Sequence, residues 1–142
     1  MKNIDVMIPR DFIFGGNANF TLLNENSNIS YQYVIKRCKY NNKMFFVSVK
    51  EGREPLTYAG YMVVIDENTI TYQTGKKGNR SRTDPAIKGL EYAIVHGKAT
   101  LPSPMRMYHH GKCACCGKKL TDEESIRLGI GPYYRKVIRH EH

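Results

Sequence analysis

Ile29-Ser30-Tyr31-Gln32-Tyr33-Val34-Ile35-Lys36, then Asn41-Asn42, then Phe45-Phe46-Val47-Ser48-Val49 is the stretch that decides the fold. In the first run Ile29, Tyr31, Tyr33 and Ile35 share one parity. In the second, Phe45, Val47 and Val49 do. Successive strand residues face opposite sides, so each run has one apolar face and predicts a half-buried strand. Asn41-Asn42 between them is a turn signal, and the pair reads as a hairpin.

The pattern continues outward. Residues 57–65 and 69–74 form two more runs, joined by the tight Asp66-Glu67-Asn68 connection. Upstream, residues 11–14 form a short apolar piece ending at Gly15-Gly16, and residues 20–24 a second piece ended by Asn24-Glu25-Asn26-Ser27-Asn28. Residues 11–75 therefore read as β, and short connections between successive strands predict an antiparallel meander. Residues 75–82 break the pattern with Lys76, Lys77, Arg80 and Arg82 in an exposed basic loop. A helix follows. Asp84 suits its N-cap, Pro85 its first position and Gly97 its end, while Ile87, Leu90 and Ile94 make an apolar stripe. This helix is expected to cover one face of the sheet.

The chain has 142 residues, 41% of them hydrophobic and 11% aromatic. That is enough for one domain with a real core and excludes a disordered chain. No apolar run is long enough to span a membrane, and Met1-Lys2-Asn3-Ile4-Asp5 lacks a signal-peptide core. The expected location is the cytoplasm. The net charge of +9 is uneven. Residues 1–75 hold 8 Lys/Arg against 7 Asp/Glu, and residues 76–142 hold 14 against 6. Such a basic half predicts an anionic partner, either nucleic acid or an acidic protein face.

The cysteines are Cys38, Cys113, Cys115 and Cys116. Three fall within four positions, which suits metal ligation better than a disulfide framework. Cys113 and Cys116 form a CxxC pair that can hold one tetrahedral zinc ion from a tight knuckle. Gly117 lets the backbone turn back, and Lys112, Lys118 and Lys119 favour the thiolate. His109 and His110 lie just upstream. Thr121-Asp122-Glu123-Glu124 reads as a capping box with Thr121 at the N-cap, opening a short helix ended by Gly129.

The run from His109-His110-Gly111-Lys112-Cys113 through Cys116-Gly117-Lys118-Lys119-Leu120-Thr121, then Glu124-Ser125 and Gly129-Ile130-Gly131-Pro132, carries a resemblance. It resembles a small zinc-binding domain family of unknown function found in phage and mobile-element proteins. That pattern is a His, then CxxCGxxLT, then ESxxxGIGP, then a final Cys. The resemblance implies a structural zinc ion held by His109, Cys113 and Cys116. The closing Cys of the pattern falls at Tyr134, where this chain departs. Substitutes are His140, His142, Cys115, Cys38, His110 or water, and we take His140, because the chain after Pro132 must pass near the metal. The β-rich part before the motif is also similar to small zinc-containing proteins of the phage counter-defence repertoire, including inhibitors of type II CRISPR effector nucleases.

The expected fold is thus α+β: residues 1–104 an antiparallel β-meander covered by one helix, and residues 105–142 a zinc-binding lobe packed on it. No triad, paired carboxylates or nucleotide loop stands out, so the expected action is binding and not catalysis. Glu123 and Glu124 are explained as first-turn acids of a helix. The resemblance implies an anti-CRISPR inhibitor of a host defence nuclease. The alternative is a nucleic-acid-binding accessory zinc protein. Either partner would meet Lys76, Lys77, Arg80, Arg82, Arg135, Lys136 and Arg139, with Tyr133 and Tyr134 available to stack on bases.

Overall fold

The two alternating runs pair as expected: Tyr33 lies opposite Val49 and Ile35 opposite Val47, with all four side chains fully buried. The computed structural model describes residues 3–131. In chain order its elements are β1 (Ile4–Asp5), α1 (Pro9–Ile13), β2 (Asn17–Asn24), β3 (Ile29–Arg37), β4 (Met44–Glu51), β5 (Thr57–Asp66), β6 (Thr69–Gln73), α2 (Pro85–His96), β7 (Met105–His109) and α3 (Glu123–Leu128). The strands form one antiparallel sheet of order β1-β7-β2-β3-β4-β5-β6. The run from β2 to β6 is the expected meander, and the architecture is α+β. Among the described residues no helix is long and apolar enough to cross a membrane.

The core lies between one sheet face and the helices. Phe20, Leu22, Tyr33, Ile35, Val47 and Val49 meet Phe12 and Ile13 of α1 and Ile87, Leu90 and Ala93 of α2. Phe20 stacks on Tyr33 with ring centroids 5.0 Å apart. The Tyr33 hydroxyl donates to the Ala86 carbonyl at 2.8 Å, so the one polar atom of this ring is satisfied. Asp84 caps α2 as its position predicts, accepting from the Ala86 N–H at 2.9 Å.

Three local expectations change. Residues 11–14, read as part of the β region, fall largely in α1: Pro9 supplies the fixed φ of a first turn, and Pro9, Phe12 and Ile13 are all buried. Residues 105–109, assigned to the C-terminal lobe, form β7 inside the sheet, paired with β2 on one side and β1 on the other. Their alternation is short and uses Met, a residue with no strong strand preference. The N-cap of α3 is Asp122 and not Thr121. The Asp122 carboxylate accepts from the Ser125 N–H at 3.0 Å, a reach that suits the short aspartate side chain.

Candidate functional site

Residues 111–120 form a tight hairpin at the end of the sheet. Lys112 bridges Lys119, the Leu120 N–H donates to the Gly111 carbonyl at 2.7 Å, and the Cys113 N–H to the Lys118 carbonyl at 2.8 Å. The Gly117 N–H returns to the Cys113 carbonyl at 2.8 Å, closing the CxxC turn. Gly117 sits at φ +77°, a left-handed conformation that glycine takes without cost.

This turn aims backbone donors at one sulfur. Cys113 is 1% exposed. Its Sγ accepts from the N–H of Cys115 at 3.4 Å and of Gly131 at 3.3 Å. The Cys113 thiol is held well below the ordinary thiol range. The Cys115 thiol donating to it is the largest cause, and the amides of Cys116, Gly131 and Cys115 add to the effect against the opposing pull of burial. Cys115 moves the other way: donating to Cys113, and burial, push its thiol up. A thiolate ringed by amides is the form in which cysteine binds a metal. Cys116 is half-buried beside it in the same turn.

His109, the last residue of β7, is fully buried. Phe12 stacks on its ring at 5.5 Å. The Gly111 N–H donates to its Nδ1 at 3.1 Å, while Nε2 has no partner among the described residues. Burial holds its pKa below the ordinary value, with the Ile126 backbone opposing and His110 reinforcing. Gly129 and Gly131 tie the two sites together. A Cβ on Gly129 would lie 3.4 Å from the His109 Cδ2, and one on Gly131 would lie 3.8 Å from the Cys113 Sγ. The return after α3 therefore runs past both side chains.

The fit to zinc is partial. Cys113 and Cys116 have the spacing and the turn, and Cys113 has the electrostatics. His109 brings a buried ring nitrogen, Nε2, that faces the Ile126 backbone without forming a close hydrogen bond among the described residues. With Nδ1 accepting from Gly111, the neutral ring carries its proton on Nε2, so ligation through Nε2 would require the proton to move to Nδ1. Among the described residues no group of three or more His, Cys, Asp and Glu side chains gathers around one point. His140, taken as the fourth ligand, lies outside the described residues, as do Tyr134 and His142. Cys38 follows the end of β3, consistent with a small side chain at a strand end.

The basic loop divides in two. Lys76, Lys77 and Arg82 are exposed. Arg80 is engaged: its guanidinium reaches Asp84 at 3.0 Å and Glu51 at 3.5 Å, with the side chain only 13% exposed. It anchors the loop to the α2 cap. Arg135, Lys136 and Arg139 lie outside the described residues, with Tyr133.

The other face of the sheet carries aromatic side chains that the core pattern does not mark. Across three strands, Lys36 lies opposite Phe46 and Phe46 opposite Tyr61, on the face turned away from the buried core. Tyr58 meets Phe46 edge-on at 6.2 Å. The signal was the parity opposite to the one that marks the core.

The fold and site define a helix-backed antiparallel sheet closed at one end by a CxxC hairpin. Over residues 106–133 the chain is similar to the Family of unknown function (DUF6011), a stretch that takes in β7 from its second residue, the hairpin and α3. No curated protein and no solved structure matches it.

Proposed function

We propose that this chain acts by binding rather than by catalysis, and that its C-terminal hairpin holds one structural zinc ion. The observation that carries the metal reading is the Cys113 sulfur, buried and facing backbone amides in a CxxC turn. Cys113 and Cys116 would supply thiolates and His109 an imidazole, with His140 as the fourth donor. Zinc would contribute folding free energy to a segment too short to bury a core of its own. The test is metal content of the purified protein beside a Cys113→Ser/Cys116→Ser variant. One zinc per chain, lost with thermal stability in the variant, is the expected result. A metal-free protein that melts like the variant rejects the site.

For the partner, the resemblance to counter-defence proteins favours a host defence nuclease of the type II CRISPR class. Such nucleases hold nucleic acid in positively charged channels. A protein this basic is a poor mimic of DNA, and an acidic patch of the effector or its guide-RNA backbone is the better target. Addition to a purified effector is expected to reduce DNA cleavage or DNA binding. If both are unaffected, this partner is wrong.

The alternative, a nucleic-acid-binding accessory protein, has an observation of its own. Phe46, Tyr58 and Tyr61 stand beside Lys36 on the sheet face away from the core, the combination on which single-stranded bases stack. Gel shifts with single-stranded RNA and DNA at low salt decide it. Blank lanes with all of them reject this reading.

A further inference from the structure

β6 is the last strand of the sheet, and among the described residues no strand pairs with its outer edge. Beside that edge lies a cavity of about 320 Å³. Residues 70–73 all border it. Ile70 and Tyr72 turn toward the core side, while Thr71 and Gln73 have the opposite parity and so border the cavity along the strand's backbone. The facing wall is a single stripe of α2: Ile87, Leu90, Glu91, Ile94 and Val95, spaced i, i+3, i+4, i+7, i+8. Met62 contributes to the floor. An open edge strand with a helix alongside, separated by an apolar groove, is the geometry in which an extended peptide adds as a further strand.

The charges say what kind of peptide. Arg10 stands at one end, its guanidinium donating to the Glu67 carbonyl in the turn before β6. Arg82 stands at the other, two residues before the Asp84 cap of α2, and among the described residues no ion pair engages it. Glu91 sits midway along the helix wall. Cations at both ends with an anion at the middle favour a segment whose carboxylates lie at its ends and whose centre is neutral. The chain's own residues 132–142 carry Arg135, Lys136 and Arg139 against one acid, Glu141, and so have the wrong sign.

We propose that the groove between β6 and α2 binds an extended segment of a partner protein by strand addition, with alternate apolar side chains on the floor and an acidic residue toward each end. β6 has five residues, so the segment is about five residues long, roughly 17 Å. This inference is independent of the metal and of the nuclease or nucleic-acid partner. Its failure would leave those assays standing.

The probe is a fluorescent acetyl-Asp-Leu-Thr-Leu-Asp-amide, titrated by anisotropy against the full chain, with the Lys-Leu-Thr-Leu-Lys analogue beside it. Saturable binding of the acidic peptide, at least tenfold tighter than the basic one, is expected. Arg82→Glu, at an exposed position, should weaken the acidic peptide at least tenfold and narrow its advantage over the basic one, with an unchanged melting curve. N-methylation of the central threonine and leucine amides should abolish binding if backbone pairing holds the peptide. No saturable binding, equal binding of the two peptides, indifference to Arg82→Glu or tolerance of N-methylation would each overturn the proposal.

Discussion

Tyr33 illustrates how much one atom decides at the residue scale. Burial raises its phenol far above the ordinary value, so it remains a donor at any ordinary pH. Its hydroxyl fastens β3 to the first turn of α2 through the Ala86 carbonyl. Tyr33→Phe keeps the stacked ring and removes only that bond. Because the carbonyl also serves the helix, the expected loss is about 0.5–1.5 kcal/mol, read from urea unfolding. Gly15 is a stricter position. A Cβ there would lie 2.6 Å from the Ala114 carbonyl oxygen, a backbone atom that cannot swing aside. The same carbonyl accepts from the Asn17 N–H at 2.7 Å, the bond that joins the hairpin to β2. Gly15→Ala should therefore cost about 1–3 kcal/mol, and a variant as stable as the parent would show that the hairpin shifts freely. The turn at Gly15-Gly16 was visible in the sequence. Its tight contact with Ala114, 99 positions away, was not.

At the element scale, α2 was the most legible feature. Asp84, Pro85, the apolar stripe and Gly97 are local signals, each with a local cause, and the helix runs from Pro85 to His96. Arg80 was less legible. A basic loop with glycines reads as a solvated, partner-facing patch, yet Arg80 folds back onto Asp84 and Glu51. Asp84 thus both caps the helix and holds the loop. Asp84→Ala should cost about 1–2 kcal/mol. Arg80→Ala, Asp84→Ala and the double variant, compared by thermal or urea unfolding, should give a coupling of at least about 0.5 kcal/mol. Strict additivity would mean that the ion pair contributes nothing beyond the cap. β7 was not read as a strand: residues 105–109 were assigned to the C-terminal lobe. Met105, Met107 and His109 alternate with Arg106 and Tyr108, but nothing local says that the strand inserts between β1 and β2.

For the whole molecule, the sheet and the hairpin have different sources of stability. The sheet rests on a continuous core shared with α1 and α2. The hairpin rests on a few backbone bonds and, on the reading proposed above, on zinc. Removing the metal with a strong chelator should therefore raise amide hydrogen exchange in residues 110–131 while residues 17–73 remain protected. Uniform loss of protection would show that the metal supports the entire fold. If the aromatic sheet face binds single-stranded nucleic acid, affinity should fall steeply between 50 and 200 mM salt, on the order of tenfold or more where several phosphates are engaged.

Local sequence is enough to say which segments alternate, which face of each is apolar, where α2 starts and stops, and that a CxxC turn with a following glycine sits near the C-terminus. These depend on residues within a few positions of one another, where backbone geometry and side-chain period act directly. It took the packed fold to show that residues 9–13 are helical, that residues 105–109 complete the sheet, that Arg80 is held by Asp84 and Glu51, and that β6 and α2 leave a groove between them. Each of those follows from contacts between segments distant along the chain. There burial and charge pairing outweigh local preference.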